Sequence, residues 1–144
     1  MTVAAILKHK GNEIADILLT ATVAEAAQVL TARRIGAVLV RDAAGQLLGI
    51  LSERDIVRTI AREGERAIAM TAAQLMTTVL HTVTPVTTVA EAMTLMTASR
   101  VRHLPVLERG QLVGIISIGD VVKARLSQQE VEVDNLKAYV SSAV

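Results

Sequence analysis

Two stretches decide the reading of this chain: GQLLGILSERDIV at 45–57 and GQLVGIISIGDVV at 110–122. They align position by position and lie 65 residues apart. A second block repeats in the same order. TVAEA stands at 22–26 and again at 88–92, 66 residues on. The one-residue difference falls in the segment between the blocks, where Ala43-Ala44-Gly45 faces the shorter Arg109-Gly110. Turns tolerate such length changes. Two blocks in one order at nearly one offset mark an internal duplication, which is the first property to establish in any chain.

Each copy reads as helix, strand, strand, helix. Thr22-x-x-Glu25 and Thr88-x-x-Glu91 are capping boxes, in which the Thr hydroxyl accepts from an orphan backbone N–H of a new helix while the Glu reaches back to the cap. Behind them, Val23, Ala26, Ala27 and Leu30, and in the second copy Val89, Ala92, Met93 and Met96, recur at helical spacing. The short apolar runs 37–40 and 104–107 read as buried strands, and a Gly-containing turn leads from each to a second strand, 47–51 and 112–116. New helices begin near Ser52 and Ser117. A two-stranded ribbon is not independently stable. The expectation is therefore an α+β fold of two repeats packed with pseudo-two-fold symmetry. In chain order the divisions are 1–66 for the first repeat with its leading segment, 67–127 for the second, and 128–144 for a helical tail. Residues 58–73 connect the repeats, with Gly64 ending the helix begun at Ser52. Lys10-Gly11 ends a short leading helix.

Composition narrows the function classes. Hydrophobic residues make up 51% of the 144 and aromatic residues 1%, so the core is aliphatic. Such a share in a short chain implies surface covered by a partner, and a homo-oligomer is the economical expectation. The formal net charge of +1 leaves no electrostatic footprint for nucleic acid, and no aromatic platform exists for stacking bases. With no cysteine, disulfides, thiolate nucleophiles and cysteine-based metal sites are excluded, and no metal is expected. The N-terminus reads as neither signal peptide nor membrane span, and the expected location is the cytoplasm.

Chemistry gathers at Ser52-x-x-Asp55 and Ser117-x-x-Asp120. Each pair follows a strand and opens a helix. One reading is a plain helix cap, with the acid favoured by the macrodipole. The other uses the same physics: free N–H groups and positive potential suit a phosphate, and an ionised Asp accepts from both hydroxyls of a ribose diol. Arg100, Arg102 and His103 precede the second buried strand and would offer donors to phosphate. The first repeat has Arg33 and Arg34 but places Gly36 and Ala37 at the positions of Arg102 and His103, so the second repeat reads as the better site.

The arrangement resembles a tandem CBS domain pair, or Bateman module, over roughly residues 3–127. The paired G-h-h-S-x-x-D segments, the Arg102–Val106 run and the TVAEA helix starts carry the resemblance. It implies clefts between the repeats that bind adenosine-containing ligands: AMP, ADP, ATP, NAD or NADH, or S-adenosylmethionine. It implies ribose held by Asp120 and Asp55, Ser117 and Ser52 near ribose or phosphate, and Arg102 and His103 facing phosphate. Adenine would lie between Val79, Leu80, Leu104, Pro105, Ile116 and Ile118. Members commonly dimerise. The stretch Lys8-His9-Lys10-Gly11-Asn12 is similar to that of small stand-alone bacterial members, in which Lys10 would reach a phosphate; the alternative is an exposed helix-end charge. Arg54 either reaches across to compensate for Gly36 and Ala37 or is a solvated arginine. His9 and His81 read as surface histidines.

An enzyme is disfavoured: G-x-S-x-G, H-E-x-x-H and G-x-x-x-x-G-K-[ST] are all absent, and neither Ser has a His base at matching positions in both repeats. The expectation is a non-catalytic adenine-nucleotide sensor, AMP first among the ligands, whose output passes through a dimer or an effector protein. The alternative is a scaffold that dimerises and binds a partner without any nucleotide.

Overall fold

A computed structural model of the chain describes residues 1–11 and 13–142. Asn12, and residues 143 and 144 of the tail, lie outside the described residues.

The chain divides into two compact units, and only one of them is continuous in sequence. One runs from Glu13 to Leu80; the other joins the N-terminal segment to His81 and everything after it. The leading helix, grouped by chain order with the first repeat, thus belongs with the second, and residues 67–80 belong with the first. The physical reason is a third repeated element. MTVAAIL at 1–7 and MTAAQLM at 70–76 are variants of one segment, and each docks beside a TVAEA helix start by the same bonds. Val89 N–H donates to Met1 O at 3.0 Å and Val3 N–H to Thr87 O at 2.8 Å. In the other unit, Val23 N–H donates to Met70 O at 2.8 Å and Ala72 N–H to Ala21 O at 2.7 Å.

In the Glu13–Leu80 unit, β1 (Asp16–Leu18) pairs parallel with β2 (Ala37–Arg41), and β2 pairs antiparallel with β3 (Leu47–Ser52). Three residues alternating exposed and half-buried give β1 no periodic signal. Two helices of eleven residues flank this sheet, α2 (Val23–Arg33) and α3 (Glu53–Glu63). Thr22 caps α2 by accepting from Glu25 N–H at 3.1 Å, but only this half of the expected capping box forms: among the described residues neither Glu25 nor Glu91 returns a side-chain bond to its cap. Gly64, at φ 65°, ends α3. A 3₁₀ turn at Gly64–Ala69 and the one-turn helix α4 (Ala72–Leu75) follow. The core is aliphatic, with Val38, Val40, Leu51, Ala26 and Ala72 fully buried.

The other unit carries α1 (Val3–Lys10), α5 (Val89–Ser99), the antiparallel pair β4 (His103–Glu108) and β5 (Gln111–Ser117), and α6 (Ile118–Ser142). Arg109 and Gly110 turn the hairpin, both at positive φ, the conformation a tight two-residue hairpin turn demands. Val3, Ile6 and Leu7 of α1 enter one cluster with Val89, Ala92, Met96, Leu104, Val106, Ile116 and Val121. Burying three large side chains of α1 is worth several kcal/mol at about 1.5–3 kcal/mol each, so the leading helix is integral to this unit. The helical tail expected from 128 onward continues α6, which runs unbroken for 25 residues. Among the described residues, no helix is long and apolar enough to cross a membrane.

Candidate functional site

The strand β5 delivers Ser117 to the start of α6, and the first turn of the helix returns Asp120 to it. Ser117 N–H donates to Asp120 Oδ2 at 2.8 Å, and Asp120 N–H donates to Ser117 Oγ at 3.1 Å. This reciprocal pair orients the carboxylate without exhausting it, since each carboxylate oxygen accepts more than one bond. A third donor arrives from α1: Lys10 Nζ lies 2.7 Å from Asp120 Oδ2 and 3.0 Å from Ile115 O. Burial pushes the Asp120 carboxyl towards a higher pKa. The Lys10 hydrogen bond, the Ser117 N–H, the Lys10 charge and the Ser117 hydroxyl outweigh it, and the group titrates below the ordinary carboxylate value. Asp120 is thus an ionised carboxylate at neutral pH, half-buried at a helix start.

The equivalent pair in the Glu13–Leu80 unit forms the same cap. Ser52 N–H donates to Asp55 Oδ2 at 2.9 Å, and Asp55 N–H to Ser52 Oγ at 3.3 Å. No lysine meets it, and the third repeated element explains why. Aligning 1–7 with 70–76 puts Val79 where the other unit has Lys10. The chain also leaves the helical conformation at Met76, whereas α1 continues to Lys10. Thr77 N–H donates to Ile50 O at 2.9 Å. Ile50 corresponds to Ile115, so one carbonyl takes a backbone donor and its counterpart takes the lysine.

The other predicted residues are more widely spread. His103 stands opposite Ser117 in the β4–β5 register, and the preceding carbonyl, Arg102 O, accepts from Ile118 N–H at 2.8 Å. Lys10, Arg102, His103, Ser117, Ile118 and Asp120 therefore converge at one end of β4–β5 and the start of α6. Arg100, at φ 54°, forms the left-handed C-cap of α5. Arg54 is exposed in the first turn of α3. Among the expected adenine walls, Leu104, Pro105 and Ile116 are fully buried, and Leu104 and Ile116 belong to the apolar core. Ile118 is half-buried and packs against the same core. Val79, 77% exposed, and Leu80 belong to the Glu13–Leu80 unit.

A groove of about 500 Å³ opens between α1 and α6, with Lys10 and Asp120 on its wall beside His9, Lys123 and Ser127. Sequence reading left Lys123 out and placed His9 at an ordinary surface. The available signal was spacing: Lys123 lies one helical turn beyond Asp120 and shares its face. Among the described residues, no cluster of three His, Cys, Asp or Glu side chains could hold a metal ion.

Comparison with known proteins agrees with this architecture. The sequence profile of the CBS domain matches residues 16–62 and 72–127. The CBS domain-containing protein CBSX3 of Arabidopsis thaliana is 36% identical over 147 residues, covering 96% of this chain and 71% of that protein. A CBS-domain containing protein from Agrobacterium tumefaciens superposes with a TM-score of 0.84 at 42% identity, over 86% of this chain and 92% of that one. A CBS domain protein from Pyrobaculum aerophilum, crystallised with AMP, superposes with a TM-score of 0.74 at 26% identity, over 83% of this chain and 89% of that one. The chain belongs to the CBS-domain family, as a tandem pair.

Proposed function

We propose that this protein is a regulatory module that binds an adenine nucleotide, with AMP the first candidate and NAD(H), ATP, ADP or S-adenosylmethionine as others of the same adenosine class. The carrying observation is Asp120. Its carboxylate is ionised, aimed by Ser117, and paired with an ammonium that can exchange its partner. A ribose diol supplies two hydroxyl donors to such an acceptor. Displaced from Asp120, Lys10 would be free to meet a phosphate, and Arg102 and His103 stand at the same end of β4–β5 to share it. Ile118 offers apolar contact for the base. In the other unit Ser52 and Asp55 repeat the ribose-binding half, with Arg54 beside them, but without the lysine. AMP in the Pyrobaculum relative supports the ligand class.

Binding of this kind shifts an equilibrium between conformations only by its differential affinity for them. The output would pass through packing against a second copy or an effector protein, and the role is regulatory rather than catalytic. Isothermal titration with AMP tests the reading. Asp120→Ala should weaken binding roughly tenfold to a hundredfold, the worth of hydrogen bonds to a charged group, and Asp55→Ala should weaken it less. No saturable binding by the unaltered protein, or unchanged affinity in Asp120→Ala, would overturn it.

A further inference from the structure

Beyond Gln128, every described residue of α6 is exposed, so no other described part of the chain covers its last turns. The uncovered stretch, 129–142, is about the length at which an isolated helix is marginal in water. The uncovered surface is patterned. Val122, Leu126, Gln129, Val133, Leu136 and Val140 are spaced alternately by four and three residues, the repeat of a coiled-coil seam. Its apolar members are held in water here, Leu126 at 55%, Leu136 at 63% and Val140 at 55% exposure. We infer that this seam is an interaction surface for a second copy of the chain, and that the two α6 helices pair as a parallel two-stranded coiled coil.

Charge beside the seam selects both the occupant and the orientation. With Leu126, Val133 and Val140 at the first core position of each heptad, Arg125 and Glu132 precede the core, and Lys123, Glu130 and Lys137 follow it. In a parallel pair, each residue before the core faces the flanking residue five positions on in the partner helix. Arg125 then meets Glu130 of the partner subunit, and Glu132 meets Lys137 of the partner subunit. Both contacts are opposite in sign, and symmetry doubles them. A fully overlapped antiparallel pair instead sets Glu130 against its own copy, Glu132 against its own copy and Lys123 against Lys137, all like charges. The core agrees with this: β-branched Val133 and Val140 with Leu136 between them is the pattern of parallel dimers, and the single polar Gln129 fixes the register.

The test uses the full chain, which has no native cysteine. Val140→Cys places one thiol near the end of the seam, where it meets its own copy only in the parallel arrangement. Under mild oxidation Val140→Cys should form a disulfide-linked dimer, seen on a non-reducing gel. Adding Leu136→Asp, which puts a charge into the seam, should slow cross-linking roughly tenfold or more. Leu136 is exposed, so the fold itself should survive, and circular dichroism and thermal unfolding of the double variant check it. A Val140→Cys chain that stays uncross-linked, or one that cross-links at the same rate with Leu136→Asp, would overturn the inference. Neither result depends on nucleotide binding, so this surface and the proposed ligand site stand or fall separately.

Discussion

Lys10 and Asp120, 110 residues apart in sequence, form an ion pair at 2.7 Å, and the same ammonium closes on Ile115 O at 3.0 Å. Lys10→Met removes both contacts. The two side chains are partly solvated, so screening leaves a modest effect, a loss of about 1 kcal/mol. Urea denaturation checks the stability. Titration of the Asp120 carboxyl by NMR should show its pKa moving up when the lysine is gone.

The lowered pKa of Asp120 fixes the sign of one acid effect. A carboxylate whose folded pKa lies below its unfolded value adds stability above the unfolded value, here close to the ordinary 3.8, and loses it as the pH falls through the folded pKa. Asp120→Asn lacks this contribution. The stability gap between the unaltered protein and Asp120→Asn should be constant at neutral pH and shrink on acidification below that ordinary value. Denaturation curves across an acid series would show a gap independent of pH if the assignment were wrong.

Gly49 and Gly114 are repeat equivalents, yet their substitution should differ in cost. A Cβ on Gly49 would lie 2.7 Å from the backbone Thr77 O and 2.9 Å from Met76 Sδ. A Cβ on Gly114 would meet the end of a flexible side chain, Leu7 Cδ2, at 2.6 Å. A side chain moves more readily than a paired strand. Gly49→Ala should cost about 2–3 kcal/mol and Gly114→Ala about 1–2 kcal/mol by chemical denaturation.

Leu7 lies outside both segments that match the CBS profile, yet it is buried in the core of the second unit. Leu7→Ala should cost roughly 2–4 kcal/mol, as other buried leucines do. Hydrogen exchange should show protection falling first in β4, β5 and α5, and later in β1–β3. Loss beginning in β1–β3 would contradict the membership of the leading helix.

The elements most legible in the sequence were those fixed by local chemistry. Thr22, Thr88, Ser52 and Ser117 each place a hydroxyl ahead of a helix, and all four take up that position. Gly64 and Gly11 end helices for the conformational reason that makes glycine frequent there. Non-local partnership was less legible. Nothing in the three residues of β1 announces a strand, because its pairing is supplied by β2. The assignment of 1–10 to the second unit rests on docking beside Thr88, which no periodicity within the segment reveals; the likeness of MTVAAIL to MTAAQLM was its one signal. At the site, Ser117 and Asp120 were readable from spacing, whereas the ammonium across from them depends on where α1 docks. Leu104 and Ile116 were expected as adenine walls through the family resemblance; their place in the apolar core of the unit depends on packing against α1, α5 and α6 that the motif alone does not show.

The traded flanks have a further consequence, for the order in which the protein takes shape on the ribosome. The segment Glu13–Leu80 contains every strand and helix of its unit, so it can condense as soon as it has emerged. The leading helix has no such option. Its partners begin at His81, about 70 residues later, a delay of roughly 4–14 s at ordinary rates of synthesis. Through that interval Val3, Ile6 and Leu7 have none of the neighbours they later bury against, and a helix made before the Glu13–Leu80 unit finds its place only after it.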